Sequence, residues 1–160
     1  VLNLADQLLD VFPDVHRRDR QRNLVQVARV EALGMSGQVS YPGLIDDVRA
    51  VLAAGDIGYV LSYQEALSFA CRELMALGLP VLVTRVGGLP ENLIENESGW
   101  IVPPQSPEQI ALTLKQILEY PELVKQMGQR AREHAVRNFQ LSDFVQQTLN
   151  AYRPAVVSQV

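Results

Sequence analysis

The chain has 160 residues, 48% of them hydrophobic, which is enough for one domain with a packed core. Its net charge of −4 argues against a nucleic-acid partner, which would require a clustered basic face. One cysteine, Cys71, and two histidines exclude an intrachain disulfide and make a metal site unexpected, so none is predicted.

The first third of the chain mixes helical and charged segments. Residues 2–12 carry apolar side chains at helical spacing, and residues 16–23 (HRRDRQRN) form an abrupt charge run. A second helix is predicted to end near Leu33, with Gly34 as its C-terminal stop. Residues 38–41 (QVSY) then suggest a short strand, and Asp46 or Asp47 is suited to cap a helix that reaches about Ala54.

The middle of the chain alternates between apolar runs and helical segments. Runs at 57–61, 80–84 and 99–102 are apolar on both faces, as in parallel strands covered by helices. The segment 68–77 between the first two is predicted to be a helix that ends at Gly78. The pattern therefore predicts an α/β domain with a Rossmann-like parallel sheet and flanking helices.

The last part of the chain is predicted to be helical. Ser106 and Pro107 are suited to the N-cap and first position of one helix, and Pro121 opens another. We expect residues 1–150 to form a single domain and residues 151–160 to be a frayed tail.

In an open parallel sheet, ligands bind where strands end, so the loop at 62–68 is the first candidate site. It leads directly into a helix N-terminus, where unpaired amides and the helix dipole favour an anion such as phosphate. The amides near Ser68, Phe69 and Ala70 are the predicted phosphate ligands.

Two carboxylates flank this position. Glu73, inside the helix, is suited to accept hydrogen bonds from the vicinal hydroxyls of a ribose, and Glu65, before the helix, from those of a second sugar. This arrangement suits a nucleotide sugar. Two other interpretations stay open: Ser62 and Glu65 match a capping box, and Glu73 fits an ordinary exposed helix residue.

The motif resembles a known family. The patterns S-x-x-E-x7-E-x-M-A-x-G-x-P-V (62–81), G-G-x-x-E (87–91) and G-W-I-V-P-P (99–104) are similar to the C-terminal half of GT-B retaining glycosyltransferases, the group 1 family with the E-x7-E signature. The resemblance spans about residues 39–150. It implies a fold that is half of the GT-B architecture.

The resemblance also implies roles for residues. Glu65 would be catalytic, supporting positive charge at the anomeric carbon, while the Phe69 and Ala70 amides would bind diphosphate and Glu73 the ribose. No cofactor or metal would be required, because dipoles and basic side chains neutralise the leaving group. Gly87 and Gly88 would border the donor pocket, although turn geometry alone explains them equally well.

This chain departs from the family pattern in two places. Ala66, Leu67 and Ser68 stand where glycine-rich residues are usual; Ala66 would be strained if the loop required a positive φ. The sequence after His16 shows no buried strand ending in a glycine-rich turn, so one or two strands of the family fold are expected to be missing. We therefore expect a piece of a longer enzyme that has little activity without its N-terminal domain.

The sequence thus favours the donor-binding domain of a glycosyltransferase, acting in glycan or polysaccharide biosynthesis in the cytoplasm. Its expected partners are a nucleotide sugar, an acceptor saccharide or lipid-linked sugar, and an N-terminal GT-B domain of the same chain. Peripheral contact with the inner face of the membrane, through the mildly basic segment 125–137, is left open. The alternatives are a non-catalytic nucleotide-sugar-binding or interaction module and a sugar-nucleotide epimerase of related fold.

Overall fold

A computed structural model describes residues 27–41 and 45–157. The chain divides into two compact units, with the boundary between Asp46 and Asp47. In the first unit, residues 27–32 are helical and Gly34 has a φ of +68°. The Met35 amide donates to the Val30 carbonyl oxygen at 3.0 Å, which closes the helix C-terminus around that glycine. The predicted stop at Gly34 is confirmed.

The strand predicted at 38–41 is wrong. Residues 36–38 form a turn, and residues 39–41 have no regular secondary structure. The Gln38 amide donates to the Met35 carbonyl oxygen at 2.8 Å, so it closes this local turn instead of pairing with a strand. The helix predicted at 2–12 and the charge run at 16–23 lie outside the described residues.

The second unit alternates helices and strands. In chain order its elements are α1 (Arg49–Ala53), β1 (Gly58–Val60), α2 (Phe69–Ala76), β2 (Val81–Thr84), a 3-10 helix (Leu89–Asn92), β3 (Gly99–Val102), α3 (Pro107–Glu119), α4 (Pro121–Asn138) and α5 (Leu141–Val157). Gly78, with a φ of +86°, follows α2 and turns the chain into β2, as the sequence predicted.

The three strands form one parallel sheet in the order β1-β2-β3. Val81 of β2 pairs with Gly58 of β1 and with Gly99 of β3, so the strands start in register. Every residue of the central strand β2 is buried. The prediction of a parallel α/β sheet with helices against it is therefore confirmed, and its three apolar runs are the three strands.

The core lies between the sheet and the helix pair α2–α4. Cys71 and Met75 of α2 and Ala131 of α4 are fully buried in it, together with Val81 and Val83 of β2. A Cβ atom on Gly128 of α4 would overlap the carbonyl oxygen of Gly78, so α4 approaches the end of α2 closely only because residue 128 is glycine. Glycine at position 128 therefore allows α4 to pack closely against the turn between α2 and β2.

Two predictions about helix ends, the cap at Ser106 and the tail after residue 150, differ from the structure. Pro107 and Pro121 open α3 and α4 as predicted, but the Ser106 hydroxyl bonds to the Pro104 carbonyl oxygen at 3.2 Å and makes no capping bond. Residues 151–157 of the predicted tail (151–160) are helical and continue α5, and residues 158–160 lie outside the described residues. Among the described residues, no helix is both long and apolar enough to cross a membrane.

Candidate functional site

The candidate site lies where β1 and β2 end, on one edge of the sheet. The loop after β1 carries Glu65 and Ala66, and the loop after β2 carries Gly87 and Gly88. The Thr84 hydroxyl at the end of β2 donates to the Ser62 carbonyl oxygen in the loop after β1 at 2.6 Å. The Gly88 amide donates to the Ala66 carbonyl oxygen at 2.7 Å and joins the two loops directly. The structure thus brings Glu65, Gly87 and Gly88 together, while the roles predicted for them in donor binding stay predictions.

Both glycines lie against the backbone of the loop after β1. A Cβ atom on Gly87 would overlap the Glu65 carbonyl oxygen, and one on Gly88 would come within 2.5 Å of the Ala66 carbonyl oxygen. Gly87 also has a φ of +49°, which disfavours other residues. These glycines therefore serve both turn geometry and the close packing of the two loops.

The N-terminus of α2 is capped by Ser68. The Ser68 hydroxyl accepts a bond from the Cys71 amide at 3.3 Å, and the side chain is buried. Within the described part of the chain, the amides of Phe69 and Ala70 have no hydrogen-bond partner. Ser68 therefore orders the helix start, while the two following amides stay available.

The two predicted carboxylates differ in their surroundings. Glu65 is half-buried in the loop after β1, and Glu73 is exposed on α2. A cavity of about 330 Å³ between α2 and the end of α4 is lined by Glu73, by Arg72 and by Phe69, a residue that is 74% exposed. Glu65, Ser68, Ala70, Gly87 and Gly88 are not among the lining residues of this cavity.

Ala66 is accommodated without backbone strain. Among described residues other than glycine, only Asn96 and Gln105 have a positive φ, so the strain considered for Ala66 does not arise. Its carbonyl oxygen instead accepts the bond from Gly88. What distinguishes Ala66 from glycine in this loop is therefore its exposed methyl group.

The structure also reveals a contact that the sequence did not predict. The Arg72 Nε–H of α2 donates to the Asn92 Oδ1 of the 3-10 helix at 2.8 Å. Asn92 is fully buried, and its amide group donates to the Gly88 carbonyl oxygen at 3.0 Å. Twenty residues separate Arg72 from Asn92, and no motif or periodicity in the sequence connects them.

Two other side chains near the site have structural roles, one in an ion pair and one in the core. Arg85, just after β2, pairs with Glu95 at 3.2 Å in an exposed contact. Cys71 is fully buried, and burial raises the pKa of its thiol to about 11. Although Cys71 lies near the N-terminus of α2, it is therefore a packed core residue and not a reactive thiol.

Comparison with known proteins identifies the family. Residues 5–134 match the family described as glycosyl transferases group 1. D-inositol 3-phosphate glycosyltransferase of Corynebacterium efficiens is 36% identical over 129 residues, which cover 79% of this chain and 30% of that protein. The chain spans about a third of the length of the curated relatives it matches.

Solved structures agree with this family. The C-terminal domain of LpcC, a glycosyl transferase group 1 family protein of Francisella tularensis, aligns with a TM-score of 0.67 and 26% identity, covering 77% of this chain and 64% of that one. Anabaena HepE in complex with UDP-glucose aligns with a TM-score of 0.76 and 22% identity, covering 86% of this chain and 37% of that one, which shows the shared fold. The sheet, the joined loops and the match over residues 5–134 lead to one conclusion: the chain belongs to the glycosyl transferases group 1 family and has the α/β architecture of GT-B glycosyltransferases.

Proposed function

We propose that this chain is the donor-binding domain of a retaining glycosyltransferase, which transfers a sugar from a nucleotide diphosphate sugar to an acceptor saccharide or lipid-linked sugar. Family membership supports sugar transfer. The alignment with the C-terminal domain of LpcC supports the donor-domain role, and the UDP-glucose in HepE supports the donor class. An N-terminal domain of the same protein would supply the acceptor side of the cleft.

One observation carries the proposal: the N-terminus of α2 presents two unpaired amides at the edge where β1 ends. Phe69 and Ala70 donate to no described group, and the Ser68 cap holds the first turn in place. Such amides, together with the helix dipole, attract a diphosphate. Because the backbone dipoles are fixed before the sugar leaves, they stabilise the charge that develops on the leaving diphosphate. A metal ion is not part of this proposal.

The two carboxylates have separate roles in the proposal. Glu65 precedes the helix on the loop that Gly87 and Gly88 hold, so it faces the sugar end of the donor and stabilises positive charge at the anomeric carbon. Glu73 lies one helical turn beyond Phe69 on the face of α2 that lines the 330 Å³ cavity, where it accepts hydrogen bonds from the ribose hydroxyls.

Calorimetric titration of the full natural protein with UDP-, GDP- and ADP-sugars tests donor binding, and a sugar-transfer assay tests catalysis. Glu65→Gln keeps the shape of the side chain but removes its charge, so the transfer rate should fall by about 100-fold or more while donor affinity changes little. Glu73→Gln should weaken donor binding by about tenfold, because it removes a charged hydrogen-bond acceptor.

Glu97→Gln is the matched control, because Glu97 is exposed just before β3, at the opposite end of the strands. It should leave both affinity and transfer unchanged. Absence of binding by every nucleotide sugar would refute the donor-binding proposal, and full transfer activity in Glu65→Gln would refute the catalytic role.

A second candidate is a nucleotide-sugar-binding module that performs no transfer. One observation favours it: Glu73 and Phe69 line a common cavity from which Glu65 is absent. In that case the Glu73 variant would lose donor affinity, and neither the wild-type protein nor any variant would transfer sugar. The epimerase alternative lacks comparable support, since the family is one of glycosyl transferases.

A further inference from the structure

A chain of hydrogen bonds runs from α2 to the loop that carries Glu65. It begins at Arg72, whose Nε–H donates to Asn92 Oδ1 at 2.8 Å. The Asn92 amide group donates to the carbonyl oxygens of Gly88 at 3.0 Å and Leu89 at 3.3 Å. The Gly88 amide then donates to the Ala66 carbonyl oxygen at 2.7 Å. These contacts connect α2, the 3-10 helix and both loops of the candidate site.

The chemistry of the partners fixes the direction of this chain. Arginine has donors only, so the oxygen of the Asn92 amide must face Arg72. The NH₂ group of Asn92 must then face the two carbonyl oxygens. Because Asn92 is fully buried, water cannot replace a lost partner without rearrangement, and each missing bond leaves a buried polar group unpaired.

The guanidinium of Arg72 also contacts an aromatic ring. Its guanidinium carbon lies 4.2 Å from the ring centroid of Phe139, directly after α4. Stacking on this ring restricts the guanidinium plane, and therefore the direction of the Nε–H bond. The position of the Gly87–Gly88 loop thus depends on two contacts from outside the loop.

We propose that Arg72 and Asn92 are a positioning pair that sets the Gly87–Gly88 loop against Glu65 and Ala66, and so determines how well the site accepts the donor. The predicted effect of the pair on donor binding rests on the proposed function, whereas its predicted effect on the position of the loop does not. The positioning role requires no contact with the donor: Asn92 is fully buried, and although Arg72 also lines the 330 Å³ cavity beside Glu73, its Nε–H is directed to Asn92. Asn92→Asp therefore tests positioning without changing the cavity lining. Arg72 lies on the same helix as the two free amides, so the pair keeps the α2 N-terminus and the glycine loop in one arrangement.

Two substitutions in the full natural protein test the pair. Arg72→Lys keeps the charge but removes the planar Nε–H donor and the stacking on Phe139. Asn92→Asp keeps an acceptor for Arg72 but removes the NH₂ donors to Gly88 and Leu89. Arg49→Lys is the matched control: Arg49 also pairs with an acceptor side chain, Asp47, but in an exposed contact apart from these bonds.

The first readout is hydrogen exchange of the Gly88 amide, with amides in β2 as an internal reference for global stability. In both variants we expect the Gly88 amide to exchange about tenfold faster or more, at unchanged protection of β2, because its bond to Ala66 opens more often. Arg49→Lys should match the wild-type protein. Unchanged exchange of Gly88 in both variants would overturn the inference.

The second readout is donor affinity together with the rate at saturating donor. We expect the Kd or KM for the donor to rise about tenfold in each variant while kcat stays within about twofold. The double variant should be no worse than the poorer single variant, because both act through one set of bonds. A loss of affinity without faster Gly88 exchange would mean that Arg72 contacts the donor directly, and would also overturn the inference.

The two readouts separate this inference from the function on which it depends. If the wild-type protein binds no nucleotide sugar, the proposed function fails, but the exchange of Gly88 still decides whether Arg72 and Asn92 hold the loop. If the wild-type protein binds donor and both variants bind it equally well, only the positioning pair is refuted.

Discussion

The amide of Gly88 donates a hydrogen bond to the carbonyl oxygen of Ala66 at 2.7 Å, and this bond joins the loops that follow β1 and β2. The two loops approach closely enough to form this bond only because positions 87 and 88 are glycine. A Cβ atom at either position would overlap the backbone of residues 65 and 66. The edge of the sheet therefore presents the two loops as one surface, on which Glu65 has a defined position.

Substitution of Gly87 should reveal this packing. Gly87→Ala adds a methyl group that overlaps the Glu65 carbonyl oxygen and also forces alanine into a φ of +49°. We expect a loss of about 2–4 kcal/mol in the free energy of unfolding, of which roughly 1–2 kcal/mol is backbone strain. Chemical denaturation measures the change.

Gly34→Ala is the control for this prediction. Gly34 has a similar φ of +68°, but a Cβ atom there would have no neighbour within 4 Å. It should therefore cost only the strain of about 1–2 kcal/mol. Equal losses in the two variants would contradict the close packing of Gly87 on Glu65.

The cap of α2 can be tested with two serines. Ser68→Ala removes the hydroxyl that accepts the Cys71 amide, so we expect a loss of about 1 kcal/mol in the free energy of unfolding. Ser106→Ala removes a serine that also precedes a helix but makes no side-chain capping bond, so the change should stay within about 0.5 kcal/mol. Similar losses for both serines, measured by chemical denaturation, would argue against a specific cap at Ser68.

The buried thiol of Cys71 should react slowly. Burial raises its pKa from 9.0 to about 11, so at pH 8 the thiolate fraction is about 100-fold lower than for an ordinary cysteine, apart from any steric protection. We expect reaction with a chromogenic disulfide at pH 8 to be at least this much slower in the native protein than in urea. Cys71→Ala supplies the background rate, and rapid labelling of the native protein would contradict the burial.

His134 should make stability depend on pH. Burial, and secondarily the charge of Arg137, lowers the pKa of His134 below its ordinary value of 6.5. Asn138 lies 3.2 Å from His134 Nδ1 and is suited to donate to the neutral ring. The unfolded chain therefore takes up a proton more readily than the folded one, so the stability that His134 contributes above pH 6.5 is lost as the pH falls below that value.

The measurement is the melting temperature at pH 7.5 and pH 5.5. The wild-type protein should lose more on acidification than His134→Gln, which has no group that titrates in this range. An equal loss in the two proteins would show that the folded state does not disfavour protonation of His134.

The sequence by itself determined the elements that depend on local patterns. Apolar runs at 57–61, 80–84 and 99–102 could be predicted as strands because the strands of a parallel sheet covered by helices are apolar over most of their length, although Tyr59 of the edge strand β1 is exposed. Pro107 and Pro121 marked helix starts, and Gly34 and Gly78 marked helix ends, since each residue type suits the backbone geometry of its position. The same local order placed Glu65, Ser68 and Glu73 around the start of α2.

Local patterns gave wrong predictions where a polar group formed a hydrogen bond with a nearby residue other than the predicted partner. Residues 38–41 have the composition of a strand, but the Gln38 amide closes a turn with Met35. Ser106 has the position of a cap, but its hydroxyl bonds backwards to Pro104. In both cases one polar group had two available partners, and composition does not say which one it takes.

Only the tertiary structure decided which loops touch and how they are held. Gly88 lies 22 residues from Ala66, and Asn92 lies 20 residues from Arg72, so no periodicity connects either pair. Their contacts exist because the parallel register of β1 and β2 brings both strand ends to one edge, and because α4 packs closely enough at Gly128 to bring Phe139 onto Arg72. The sequence supplied the chemical groups of the site, and the packing of the sheet and helices supplied the distances between them.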